Sequence, residues 1–102
     1  MKLTLLIDGK EKIFTTPFVS ARAYRKLLEY DQTIDYTDMG LDEYDEIVGF
    51  ICDVFGNQFT IDDFYDGLPS YELNNVLLDV FAYIRTGETL KKDNDSKNEM
   101  GK

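Results

Sequence analysis

The chain has 102 residues, of which 43% are hydrophobic and 14% aromatic, and its formal net charge at neutral pH is −9. This length and composition predict one globular domain and argue against wholesale disorder. Between Leu27 and Ile84 there are 14 Asp or Glu residues and no Lys or Arg. Such a region repels phosphate backbones, which disfavours nucleic-acid binding. It favours a solvated acidic surface, the alternatives being a docking face for a basic partner and a mimic of DNA.

The residue types that most enzymes use are missing or lack partners. The chain contains no His, which removes the commonest general base and the commonest metal ligand. It has no phosphate-binding glycine loop, and no Ser or Cys nucleophile has a His partner. The single cysteine, Cys52, lies in an apolar helical stretch and is predicted to be a small core residue. We therefore expect a non-enzymatic protein without a cofactor.

Calcium is the metal that the acidic centre of the chain suggests. The run that begins at Asp31 has oxygen-bearing side chains near the spacing of an EF-hand loop. The sixth position of such a loop must be Gly and here is Tyr36, and the twelfth should be Glu and here is Asp42. The sequence therefore predicts no metal site.

Membrane segments are not indicated by the pattern of apolar residues. No apolar run approaches the ~20 residues that span a bilayer. The run from Leu3 to Ile7 is five residues long, which is too short for the apolar part of a signal peptide. With one cysteine as well, the predicted compartment is a reducing cytoplasm, and no membrane partner is expected.

A β-hairpin is predicted at the start of the chain. The runs Lys2–Ile7 and Lys10–Thr15 read as strands, and Asp8-Gly9 between them is a strong two-residue turn signal. The inner face would hold Leu3, Leu5, Ile7 and either Ile13 or Phe14, depending on register. Because a lone hairpin is marginal in water, this one must pack on helices or pair with another chain.

Four helices are predicted after the hairpin, so that the fold class is α+β. Their expected ranges are about 20–31, 41–55, 61–66 and 70–86. Ser20 and Thr60 are the predicted N-caps of the first and third helices, with Asp63 completing a capping box in the third. The predicted inward side chains of the first two helices are Tyr24, Leu27, Leu28, Leu41, Tyr44, Val48, Ile51 and Phe55.

The last predicted helix is apolar around much of its circumference. Its inward stripe comprises Leu73, Leu77, Val80 and Ile84, and further apolar residues lie between them. Such a helix is either central in the core or shared with a partner. The globular domain is expected to cover residues 1–87, and the polar residues 88–102 are expected to form a disordered tail.

Two stretches carry a resemblance to a known family. One is Phe14–Arg22, followed by the predicted helix Tyr24–Glu29, and the other is Val54–Thr60, continuing through Tyr65–Leu68. Together with the opening hairpin, this order resembles the tail assembly chaperones of long-tailed, siphovirus-type phages and prophages, the lambda G-like class. The resemblance covers roughly residues 1–87.

The resemblance implies a non-catalytic function in the host bacterial cytoplasm. Proteins of this class bind the tape measure protein and keep it soluble, help to recruit tail tube subunits, and are absent from the finished virion. Many also have a longer form made by a programmed ribosomal frameshift, for which Lys91-Lys92 would be a suitable site. Self-association is left open as a further kind of protein contact.

A binding surface is expected on the exposed side of the last helix, around Tyr71, Leu78 and Phe81. Apolar residues there could cover the apolar faces of a helical partner, although they could equally complete the core. The alternative function is a small acidic inhibitor that mimics DNA and occupies the basic groove of a nucleic-acid enzyme. That function needs carboxylates on one continuous face, whereas many acids here lie at predicted helix starts or in loops, where capping accounts for them.

Overall fold

The computed structural model describes residues 1–88, and in them it confirms the predicted α+β fold of one hairpin and four α-helices. The elements are β1 (Lys2–Ile7), β2 (Lys10–Thr15), α1 (Ala21–Thr33), α2 (Leu41–Val54), α3 (Ile61–Gly67) and α4 (Leu73–Thr86), with a short 3-10 turn at Ser70–Glu72 before α4. The predicted disordered tail, except for Glu88, lies outside the described residues. The domain boundary at residue 87 therefore stays a prediction.

The hairpin forms where its turn residues predict it. Asp8 and Gly9 both have positive φ, 53° and 78°, which is the backbone geometry of the tight turn that matches the twist of two antiparallel strands. The register places Leu3 opposite Phe14. Of the two candidates for the inner face, Phe14 is therefore the one that packs against the core, and Ile13 is exposed on the outer face.

Helices cover the inner face of the hairpin. Such cover is required because a hairpin by itself is only marginally stable in water. The end of α3 comes so close to β1 that a Cβ atom added to Gly67 would lie 2.7 Å from the carbonyl oxygen of Leu6. Leu3 and Leu5 of β1 are buried in the core cluster. The hairpin is thus held by direct contact between strand backbone and helix backbone.

A cluster of four phenylalanines joins β2, α2 and α3. The ring centroid of Phe59 lies 5.0 Å from that of Phe14, 5.3 Å from that of Phe55 and 6.2 Å from that of Phe64. Phe59 belongs to the loop between α2 and α3, so a single buried side chain contacts β2, α3 and Phe55, the residue that directly follows α2. The edge-on pair of Phe59 with Phe14 and the tilted pair with Phe55 contribute beyond the apolar area that they bury.

The helix ends show which of the predicted capping residues form hydrogen bonds in the structure. Thr60 and Asp63 form the predicted capping box, because each backbone N–H donates to the other residue's side-chain oxygen at 3.0 Å. Ser20 occupies the N-cap position of α1, but its side chain makes no capping hydrogen bond. Helix α1 also continues to Thr33, two residues beyond the predicted end.

Three side chains that were predicted to face inward are exposed. In α1, Leu27 and Tyr30 are buried, whereas Tyr24 and Leu28 are each 42% exposed. Only a narrow stripe of α1 contacts the rest of the protein, and a residue one position further along lies about 100° around the helix. Leu41 is also exposed, because it is the first residue of α2 and lies ahead of the part that is covered.

An ion pair joins α1 to α4 at the surface. The guanidinium of Arg85 donates to both carboxylate oxygens of Asp31, at 2.8 and 2.9 Å, and the hydroxyl of Tyr36 donates to Asp31 at 2.7 Å. The hydrogen bonds from Arg85, and to a lesser extent that from Tyr36, hold the pKa of Asp31 below its ordinary value of 3.8. The first residue of the EF-hand-like run is thus a structural ion-pair partner.

Replacing Asp31 with Asn is expected to lower the free energy of unfolding by about 0.5–1 kcal/mol at pH 7, because the pair is bidentate but partly solvated. The folded pKa of Asp31 is depressed, so this contribution is present above the unfolded pKa and is lost as pH falls through the folded pKa. Urea unfolding curves of the two chains should therefore converge in strongly acidic solution.

Glu29→Gln is the matched control for this change, because Glu29 pairs with Arg25 four residues earlier on the exposed face of α1. It should cost only a few tenths of a kcal/mol. The assignment would be contradicted if Asp31→Asn lowered the free energy of unfolding no more than Glu29→Gln does, or if the loss persisted at low pH.

Candidate protein-binding surfaces

The residues of the binding surface predicted around α4 differ in exposure: two are exposed to solvent and one is buried in the core. Tyr71 is 78% exposed and Leu78 is 49% exposed, whereas Phe81 is only 4% exposed. The ring of Phe81 packs against that of Tyr36, with centroids 4.9 Å apart. Helix α4 is therefore mainly a core helix, and Tyr71 and Leu78 are the predicted binding residues that a partner could reach.

A second apolar surface is a groove of about 1040 Å³ between α1 and the α2–α3 region. One wall comes from the linker 17–20 and from α1 as far as Tyr30, and the other from the second half of α2, the loop after it and the start of α3. Its apolar lining includes Phe18, Val19, Phe50 and Ile61. Phe18 is 90% exposed, which is the highest exposure among the large hydrophobic side chains of residues 1–88.

The linker that carries Phe18 is held in place on both sides. Gly56 ends α2 with a positive φ of 69°, and a Cβ atom there would lie 3.3 Å from Cγ of Pro17. The amide of Gln58 donates to the carbonyl oxygens of Thr15 and Phe55, each at 2.8 Å. These contacts fix the path of the chain into α1, so Phe18 is presented by an anchored segment.

The two walls of the groove carry opposite charges. The α1 wall presents Arg22, Arg25 and Lys26, and the α2 wall presents Glu46 and Asp53. The carboxylate of Glu29, also on α1, forms ion pairs with Arg25 and Lys26. Arg22 forms no ion pair with any carboxylate of residues 1–88. The groove therefore has an apolar lining, a basic side and an acidic side.

Sequence reasoning did not identify this groove. Phe18 lies in a segment without strand or helix periodicity, so no periodic pattern assigned it to a face. The available signal was an aromatic residue directly after Pro17 and two residues before the predicted N-cap Ser20. The rest of the groove depends on how α1 packs beside α2.

Cys52 is buried beneath the groove, as the sequence predicted. Burial, together with the negative charges of Asp53 and Asp63, raises the pKa of its thiol to about 11. Because the thiolate is the reactive form, the fraction available at pH 8 falls by about 100-fold relative to an ordinary thiol. Cys52 therefore contributes to packing.

The folded chain is accordingly expected to react with Ellman's reagent at pH 8 at least about 100-fold more slowly than the same chain unfolded in urea. Following the absorbance of the released thiolate measures both rates. The urea-unfolded chain is the internal control, since it contains the same single thiol. Release of one equivalent within seconds from the folded chain would contradict the buried, protonated state.

Two properties of residues 1–88 concern metals and membranes. No group of three or more Cys, Asp or Glu side chains in this part of the chain is arranged to hold a metal ion. None of its helices combines the length and the apolar character needed to cross a membrane.

The chain matches a model of a known protein family. A family model described as phage tail chaperone protein matches residues 1–102, which is the whole chain. No curated protein and no solved structure matches the chain significantly. The match agrees with the resemblance found in the sequence.

Proposed function

The chain belongs to the phage tail chaperone family, and on this premise we propose that it binds the tape measure protein and keeps it soluble during tail assembly. The observation that carries the proposal is the family match over the entire chain. In this proposal the chain acts in the host cytoplasm, also contacts the tail tube protein, and is absent from the finished virion. Its role is non-catalytic.

The physical properties of the surface support this function. A tape measure protein is expected to be long and largely helical, with apolar faces that are exposed before the tube forms around it. Exposed apolar side chains such as Phe18, Tyr71 and Leu78 are suited to cover such faces. The net charge of −9 would keep the resulting complex soluble through repulsion between copies.

The accessible part of the α4 surface belongs to this proposal. Tyr71 lies in the 3-10 turn that precedes α4, Leu78 lies within α4, and both side chains are exposed. They would make a small apolar contact with the partner. Phe81 would act indirectly, by holding α4 in the core.

Co-expression with the tape measure protein of the same phage or prophage tests the proposed function. We expect the tape measure protein to be largely insoluble when expressed alone and to become soluble and co-purify with the chain. An unrelated acidic protein of similar size and charge is the control, because it reproduces the charge without the specific surface. Equal solubility with the chain and with the control would refute the proposal.

The alternative function as a DNA mimic has less support. Several carboxylates are engaged within the fold: Glu43 and Asp63 cap helices, Asp45 accepts a hydrogen bond from Tyr65, and Asp31 pairs with Arg85. Carboxylates used in this way are distributed by the needs of folding rather than arrayed like phosphates. Recovery of a nuclease or polymerase, and no tail protein, in a pull-down from phage-infected cells would favour the mimic.

A longer form made by frameshifting is part of the same proposal. Lys91-Lys92 lies outside the described residues, so the argument for it rests on the family alone. Mass spectrometry of the tagged product from infected cells should show two species that share their N-terminal peptides. A gene without a slippery heptamer or an overlapping downstream frame would contradict it.

A further inference from the structure

We propose that the groove between α1 and α2 is the docking site for an amphipathic helix of the partner, and that its charged walls set the orientation of that helix. The helix would have an apolar stripe with acidic residues on the side that meets α1 and basic residues on the side that meets α2. This inference rests on the proposed function, because it names the surface through which the tape measure protein is held.

The dimensions of the groove suit a helix. An α-helix with its side chains is about 10–12 Å across and rises 5.4 Å per turn, so one turn occupies roughly 500 Å³. The groove, with a volume of about 1040 Å³, is therefore large enough to take a short stretch of such a helix. Two turns carry about three apolar side chains on one face, which is the usual anchor pattern of a helix bound in a groove.

Phe18 provides the apolar anchor on the rim of the groove. It is 90% exposed, so it contributes little to the core of the free chain. Its segment is fixed by the packing of Pro17 on Gly56 and by the hydrogen bond from Gln58 to Thr15. An exposed aromatic residue on a pre-organised segment can bury a large area on binding at a small cost in conformational entropy.

The basic side chains of the α1 wall distinguish this groove from the rest of the acidic surface. Helices α1–α4 carry four Lys or Arg side chains, and Arg85 is engaged with Asp31. The other three all line the groove, and among residues 1–88 the one carboxylate ion-paired with any of them is Glu29, which pairs with Arg25 and Lys26. This leaves net positive charge on one wall, opposite Glu46 and Asp53 on the other. A helix with complementary flanks would bind in one orientation and be disfavoured in the reverse.

The α4 surface lacks these features. It offers the separate side chains of Tyr71 and Leu78, and its one cation, Arg85, is held by Asp31. It is therefore the secondary contact, and Tyr71 supplies a control that is matched to Phe18 in exposure and aromatic character.

Competition inside one cell tests the inference. Wild-type chain with one tag and a variant with a second tag are co-expressed with a limiting amount of the tape measure protein from the same phage, and the ratio of the two tags on the purified complex is measured. Phe18→Ala should reduce the share of the variant by at least about tenfold, equivalent to ~1.4 kcal/mol. Tyr71→Ala should reduce it by less than threefold.

The charged walls are tested with a matched pair of double variants. Arg22→Glu with Lys26→Glu places negative charge on the α1 wall and should reduce the share by about tenfold or more. Lys10→Glu with Lys12→Glu changes the net charge by the same amount on the exposed hairpin and should leave the share near that of the wild type. Circular dichroism melting of each free variant verifies that it is folded.

The outcomes separate the inference from the proposed function. If folded Phe18 and α1-wall variants compete as well as the wild type, the groove is not the docking site, although the chain still binds the tape measure protein. If Tyr71→Ala has the larger effect, binding occurs mainly on α4 and the inference is wrong. If the wild-type chain itself forms no complex, the proposed function fails first.

Discussion

Gly67→Ala is expected to destabilise the chain by about 3 kcal/mol, a large fraction of the stability of a small domain. The added methyl group would lie 2.7 Å from the carbonyl oxygen and 3.0 Å from the amide nitrogen of Leu6, and 3.1 Å from Cβ of Leu5. The two closest atoms belong to the backbone, which cannot turn away as a side chain can. To relieve the clash, the end of α3 must separate from β1, which removes the support that a two-stranded hairpin requires.

Gly49→Ala is the matched control, because it makes the same chemical change inside another helix. There the new Cβ atom would meet only Cδ1 of Ile61, at an ordinary contact distance of 3.6 Å. Replacing a glycine in the middle of a helix removes backbone freedom from the unfolded chain, so this variant should be about 0.5–1 kcal/mol more stable than the wild type. Urea unfolding followed by circular dichroism measures both changes. Similar stability for the two variants would show that α3 does not approach β1 in this way.

Phe59→Ala is expected to cost about 3–5 kcal/mol, the usual range for truncation of a buried phenylalanine. Its ring contacts those of Phe14, Phe55 and Phe64, which belong to β2, the end of α2 and α3. Truncation therefore leaves a cavity at a point where three elements meet, and no single neighbour can fill it. Much or all of the native state should be lost at 37 °C, and the urea midpoint should fall accordingly.

Phe18→Ala removes the same side chain from an exposed position and should change stability by no more than about 0.5 kcal/mol. The pair separates the two uses of phenylalanine in this small protein, since Phe59 holds the elements together while Phe18 faces the groove. If Phe18→Ala lowered stability as much as Phe59→Ala does, Phe18 would be a core residue in solution. The docking proposal would then lose its apolar anchor.

The affinity of a partner peptide should respond differently to added salt at the two proposed surfaces. A peptide that occupies the groove would bury Phe18 and contact the charged walls, so its affinity should fall with added salt. Binding to Tyr71 and Leu78 alone would be largely apolar and less sensitive to salt. The salt dependence of the complex is therefore a further way to tell which surface dominates.

The features that could be predicted from the sequence are those decided by neighbours in the chain. Asp8-Gly9 determines a tight turn because its two residues accept positive φ, and the strands on either side need only pair locally. The box of Thr60 and Asp63 starts α3 with two hydrogen bonds across three residues. Gly87 ends α4 with a φ of 82°, a left-handed conformation that glycine adopts without strain. These signals mark where elements begin and end, and the apolar periodicity between them indicates helix or strand. Together they predict the elements and the α+β class.

The tertiary structure alone decided which apolar side chains are buried and which are available to a partner. Tyr24 and Leu28 have the same apolar character as Leu27, but α1 packs through one narrow stripe and leaves them in solvent. Phe81 was expected near a binding surface and is in the core, whereas Phe18 had no assigned face and stands at the rim of a groove. Burial depends on the arrangement of distant elements, and no periodic pattern along one helix contains that information. The groove exists because α1, which packs on α4, and the linker before α1 leave a space that faces the second half of α2 and the start of α3.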